Sequence, residues 1–155
     1  MILDEKLEFA DATSVAASAG TALIGDVIDL GSTSNYPGTG EPLYLVIQTD
    51  TAIVTGGAAG TVQFFVCSDS LATLGSATVA SCTTHLTSAS FTTGSTASGG
   101  IAAGGTILMA ALPMGTYERY LGILCTTGTT TTTAGKINAF LTKDVARWVA
   151  TADGI

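Results

Sequence analysis

LPMGTYERYLGILCTTGTTTTTAGKINAFLTKD, residues 112–144, is the stretch on which the reading of the fold turns. Leu-Pro-Met-Gly is a turn sequence, because Pro113 fixes its own φ and Gly115 can take positive φ without steric cost. Tyr117–Thr126 and Lys136–Thr142 are apolar, β-branched and aromatic runs, the composition of strands. Thr127–Gly135 between them is too polar to bury and too β-branched to favour a helix. The expectation is a β-hairpin with a long, solvated loop. Nothing in it resembles a catalytic group.

The same period-2 and turn signals run through the rest of the chain. Pro42 opens LYLVIQT at 43–49, whose continuous apolar character predicts a strand buried on both faces. After a turn at Gly56–Gly60, TVQFFVCS at 61–68 sets Val62, Phe64 and Val66 against Gln63, Phe65 and Cys67 on opposite faces. ALIGDVIDL at 22–30 is a strand interrupted by Gly25, where a bulge is expected. Ala77–Ser81, Thr83–Thr87 and Thr106–Leu112 complete the set, with a dilute Ser/Thr/Gly region at 88–105. Asp11–Thr21 and Gly31–Gly40 read as connections. At the N-terminus Leu3, Leu7 and Phe9 alternate with charges, as in an edge strand or an extended arm. Beyond Asp144, Val145, Trp148 and Val149 fall at i, i+3, i+4, which suits a short helix or an extended arm. About eight strand candidates without a long helix predict an all-β fold: an antiparallel jelly-roll sandwich with extended terminal arms. Residues 1–155 form one domain in this reading, with 1–9 and 145–155 as the arms.

Composition narrows the function. Charged residues make up only 11% and the net charge is −7, with no Lys or Arg between Lys6 and Arg119. A phosphate backbone needs clustered basic groups, so neither nucleic acid nor an anionic membrane is an expected partner. Asp4, Glu5 and Glu8 occupy the place where a signal peptide needs a basic and then apolar start, so synthesis in a cytoplasm is the expectation. Cys67, Cys82 and Cys125 are odd in number and form no C-x-x-C pair, and read as small buried hydrophobes.

Catalytic, cofactor and metal constellations are not expected. His85 is the sole histidine, and Asp69 is the only acid between Asp50 and Glu118, a poor setting for a catalytic triad. The glycine pairs at 56–57, 99–100 and 104–105 lack the Lys of a phosphate loop, and Asp26 and Asp29 do not resemble a calcium loop. Interface chemistry is the better expectation. Arg119, next to Glu118, suits either a local ion pair or a pair across subunits. Tyr117 and Tyr120 flank them with rings and hydroxyls. Trp148 is either a core anchor or a contact with another chain.

Several blocks carry a family resemblance. MILDEKLEFADATSV at the start, VIDLG at 27–31, GEPLYLVIQTD at 40–50, LPMGTYERYLGI at 112–123, TAGKINAFLTKDV at 133–145 and the closing ADGI resemble the capsid cement, or decoration, proteins of short-tailed phages, the group named for the Bordetella phage cement protein. The resemblance runs in order along the chain and is weakest at 69–105. It implies a jelly-roll protein on the outer face of an HK97-type shell, whose partners are the major capsid protein and other copies of itself, as dimer or trimer. It carries across no cofactor, metal or active-site residue. Two other classes compete: a carbohydrate- or receptor-binding module, which the few aromatics support little, and a cupin-like enzyme, which a single histidine makes a poor fit.

Overall fold

A computed structural model describes residues 4–31, 35–74, 78–93 and 101–145. Among these lie nine strands: β1 Glu8–Ser14, β2 Gly20–Asp29, β3 Tyr44–Thr55, β4 Gly60–Asp69, β5 Thr83–Thr87, β6 Phe91–Thr93, β7 Thr106–Ala111, β8 Tyr120–Gly128 and β9 Thr132–Thr142. One sheet has the order β1-β9-β3-β7; the other has β2-β8-β4-β5, with β6 also on β4. All pairings are antiparallel. Counting β5 and β6 as one broken strand along β4 gives eight strands in two four-stranded sheets, in the order of a jelly roll.

Inward-facing side chains of the central strands make the core. Leu45, Ile47 and Ile53 of β3 and Ile137, Ala139 and Leu141 of β9 meet Val62, Phe64 and Val66 of β4 and Leu121, Ile123 and Cys125 of β8. Full burial of each large member contributes about 1.5–3 kcal/mol. Tyr44–Asp50 is buried or nearly so at every position, as the continuous apolar run predicts for a strand between two neighbours. The kink at Gly25 is present as well. Its φ is +68°, and the β2–β8 register breaks between Ile24 and Ile28.

Residues 112–144 fold otherwise than expected. β8 and β9 lie in different sheets and do not pair with each other, so the segment is an arch between sheets and not a hairpin. The connection is only residues 129–131, entered through Thr129 at φ +69°. Thr127 and Thr132, expected in a wet loop, are buried, and their hydroxyls lie 3.1 Å apart. A threonine hydroxyl that finds such a partner can turn inward at low cost, and the two strands then open toward different neighbours. Gly115 is not at positive φ.

Other boundaries shift too. Glu8 and Phe9 belong to β1, and Phe9 is 1% exposed, so residues 8–9 are sheet and not arm. β1 continues through Asp11–Ser14, which the sequence assigned to a connection. Val79–Ser81 is a 3-10 turn in place of a strand. Trp148 and the arm or helix expected beyond Val145 lie outside the described residues.

A second apolar layer sits on the outer face of the β2-β8-β4-β5 sheet. Leu74, fully buried, comes down from the β4–β5 connection onto Cys67 and Leu124, with Leu23, Val27 and Phe65 around it. Gly122 leaves the room: a Cβ there would stand 2.8 Å from Leu74 Cδ1.

Candidate functional site

The β2–β3 and β7–β8 connections meet at one end of the sandwich, where Tyr117 lies against His85 of β5 and Glu118 against Ser68 of β4 and Thr83 of β5. Asn35 and Tyr117 exchange backbone hydrogen bonds of 2.9 and 2.8 Å. The Tyr117 ring is fully buried and stacks on the His85 imidazole, with centroids 3.7 Å apart and planes 17° from parallel. Its hydroxyl donates to the Pro113 carbonyl at 2.8 Å, and burial pushes its pKa up to about 12. His85 Nε2 lies 2.7 Å from Ser68 Oγ, which accepts the Glu118 backbone N–H at 3.1 Å. Ser68 Oγ keeps a second lone pair as well as its proton, so which of Ser68 and His85 donates follows the imidazole tautomer. Burial also holds the His85 pKa below its ordinary value, with Glu118 opposing in part. Glu118 in turn accepts from the Thr83 hydroxyl at 3.0 Å.

Arg119 makes a local ion pair. Its Nε and one Nη donate to the two carboxylate oxygens of Asp29, both at 2.9 Å, and its guanidinium lies 5.1 Å from the Tyr120 ring centroid. The hydrogen bond from Arg119, with one from the Gly31 N–H, holds Asp29 below the usual carboxylate range, and Asp29 raises Arg119. Both side chains are 44% exposed, so water screens the pair and it adds little stability. Of the five interface candidates, Glu118, Arg119 and Tyr120 keep partial exposure at this end of the sheet. Tyr117 does not: its ring completes the core against His85 and has no surface for another chain.

The arrangement ties the β2–β3 and β7–β8 connections to β4 and β5 and offers little to a substrate. Ser68 is fully buried, so its hydroxyl cannot reach a carbonyl in solution. Among the described residues no group of three His, Cys, Asp or Glu is placed to hold a metal ion.

The edges of the sandwich differ sharply in charge. On one side Glu5, Glu8, Asp11 and Asp26 line a cleft of about 390 Å³ between β1 and β2. Burial, then Asp11 and Glu5, raises the Glu8 pKa, as expected for a carboxylate crowded by its own kind. On the other side β5, β6 and β7 fall within residues 70–117, which contain no Asp, Glu, Lys or Arg. Beside the C-terminal end of β7, Gly38, Pro42, Ala111, Leu112 and Met114 form an apolar groove of about 360 Å³. The sequence held this signal in its uncharged span, but strand order was needed to put β5, β6 and β7 on one side of the molecule.

Comparison with known proteins fits the all-β architecture to a family. No curated protein matches the chain. A family model described as Bbp16, a name that points to a Bordetella phage protein, matches residues 9–141, from β1 nearly to the end of β9. The chain therefore belongs to the Bbp16 family.

Proposed function

We propose that the protein is a structural virion component that binds the outside of an HK97-type major capsid shell and cements neighbouring capsomers. The observation that carries this reading is the family match along the whole sandwich, from residue 9 to residue 141. The physical character of the chain supports it. Cementing needs buried area, shape and strand pairing, and none of these requires a nucleophile or a metal. The one serine–histidine contact is consumed inside the fold, so the protein is read as a scaffold and not an enzyme. Thr, Ser and Gly surfaces make polar contacts without the desolvation cost of charge. The net charge of −7 keeps a protein displayed in many copies soluble.

In this reading the partners are the major capsid protein and further copies of the chain, assembled on the virion surface after synthesis in the host cytoplasm. Shells lacking the protein, titrated with the purified chain, should saturate at a fixed ratio to major capsid protein and rupture at a higher temperature. Shells that neither bind it nor gain stability would overturn the proposal. Arg119→Ala separates the roles of the sandwich end: weakened shell binding with unchanged folding assigns Arg119 to the contact, and unchanged binding removes it.

A further inference from the structure

We propose that Cys67 and Cys82 form a redox pair, joined by a disulfide when the chain meets a small disulfide oxidant such as oxidised glutathione, and that this bond clamps the β4–β5 connection carrying Leu74. Nothing in their spacing pairs them; the fold does. Cys67 faces Thr84 across the β4–β5 ladder, with Sγ 3.5 Å from the Thr84 hydroxyl. Cys82 precedes β5 in extended backbone, φ −124° and ψ 163°, so side-chain alternation sets it on the same face as Thr84. That face carries the outer apolar layer, where Cys67, Leu74 and Leu124 are buried and Cys82 packs against them. The Cys82 thiol lies within hydrogen-bonding reach of Cys67 and of the Thr78 carbonyl, the latter at 3.4 Å.

Diagonal neighbours on a regular ladder stand about 7–8 Å apart, at the limit of what a disulfide spans. This ladder is not regular. Its register shifts between Val66 and Cys67, and Cys82 lies past its last pair, Ser68 with Thr83, at the end of the Val79–Ser81 turn. Cys82 is therefore free of strand pairing to β4 and closes the remaining distance at little cost. Cys125 takes no part, because it is buried in the core between the sheets, away from the outer layer. An odd number of cysteines thus holds one pair and one inert thiol.

In the reduced chain all three thiols are free, Cys82 partly exposed and Cys67 buried, so Cys82 meets the oxidant first. Its thiolate attacks one sulfur of the small disulfide, giving a mixed disulfide and releasing one small thiol. Cys67, as thiolate, then displaces the second small thiol from Cys82. Two protein thiols are oxidised to one disulfide, and one small disulfide is reduced to two thiols, which carry off the two cysteine protons. Burial, and then Cys67 itself, pushes the Cys82 thiol up to about 12, which slows the first step at neutral pH and quickens it as pH rises. The bond closes residues 67–82 into a loop that includes Leu74, the plug over Gly122. Restricting the unfolded chain by a loop of that length raises the melting temperature by roughly 6–12 °C. The inference rests on contacts within one chain and is tested without a shell, so it stands or falls separately from the capsid reading.

The full chain, reduced and then held with oxidised glutathione at mildly alkaline pH, tests it. Intact mass should fall by two hydrogens, and alkylation after denaturation should find one thiol, at Cys125. Chymotrypsin, which cuts after Leu71 and Leu74 between the two cysteines, should release their peptides joined. The melting temperature should rise by the amount given above and return on reduction. Cys125→Ser should behave as wild type, while Cys82→Ser should gain neither the bond nor the stability. Cys82 is the partner to replace because it is only partly buried, whereas a Cys67 variant puts a hydroxyl in the packed layer. Glutathione left on Cys82 with Cys67 still free, a bond to Cys125, or a bond between two chains would each overturn the pair. So would three free thiols after prolonged oxidation. A Cys67–Cys82 bond that leaves the melting temperature unchanged or lowers it would overturn the clamp.

Discussion

Leu74 offers the sharpest test of how the sandwich is covered. The β4–β5 connection arises from a dilute part of the sequence, yet it places a fully buried leucine on the outer face of a sheet, over Gly122. Leu74→Ala removes that plug. Buried Leu→Ala changes cost about 2.7–5 kcal/mol, and the lower half of that range fits a side chain carried on a connection able to settle inward. About 3 kcal/mol lowers the melting temperature by roughly 6–12 °C in a chain of this size. Gly122→Ala alone puts a Cβ 2.8 Å from Leu74 Cδ1, 3.1 Å from Val27 Cγ1 and 3.3 Å from Leu23 Cδ1. These are side-chain tips that can yield, so the cost is about 1–2 kcal/mol. In the double variant the new methyl group enters space the leucine vacated, so the costs should fall short of their sum by about 1 kcal/mol. Guanidinium unfolding with unchanged m-values supplies all three numbers. A Leu74→Ala cost below about 1 kcal/mol, or strict additivity, would refute the packed cover; both lie outside what a filled site allows.

Three further outcomes follow from the same geometry. Gly25 and Gly31 both have positive φ, +68° and +79°, but a Cβ at Gly25 would stand 1.9 Å from the Phe9 carbonyl oxygen while Gly31 has open space. Gly31→Ala should cost about 1 kcal/mol and Gly25→Ala roughly 3 kcal/mol in denaturant unfolding, and equal costs would contradict the β1–β2 contact. Burial holds His85 below its ordinary value of 6.5, so the unfolded chain takes up the proton first. Its contribution is therefore whole above about pH 6.5 and is lost as pH falls from there through the folded value. His85→Gln should flatten that part of the stability–pH curve, and an unaltered slope would show that His85 does not titrate there. Burial pushes the Cys82 and Cys125 thiols up to about 12, and Cys67 is buried. Iodoacetamide at mildly alkaline pH should label the native protein slowly and the denatured protein at all three cysteines; fast labelling of native Cys125 would count against its place in the core.

Strand existence was legible in the sequence because apolar and β-branched runs fix it locally. The first half of β3, Gly60–Asp69, Thr83–Thr87 and the kink at Gly25 all carried that signal, whereas the continuation of β3 past Thr49 to Thr55 did not. Partner choice was not legible. A hairpin and an arch between sheets share the same apolar runs and a polar connection. They differ in whether Thr127 and Thr132 face water or each other, which depends on strands far away in the chain. Tyr117 escaped for the same reason: its burial comes from stacking on His85, more than thirty residues earlier. Cys82 was expected to be buried and is only partly so, because it sits at the rim of the outer apolar layer. Arg119 had two stated readings, and Asp29 across the β2–β8 pairing supplies the local pair.

The central claim is that this sandwich sits on the outside of a shell and bridges its capsomers. Electron cryomicroscopy of shells with and without the purified protein tests it directly. The account predicts added density of jelly-roll size on the outer surface, straddling the boundaries between neighbouring capsomers. Density inside the shell, confined to the tail, or absent at saturating protein would contradict it.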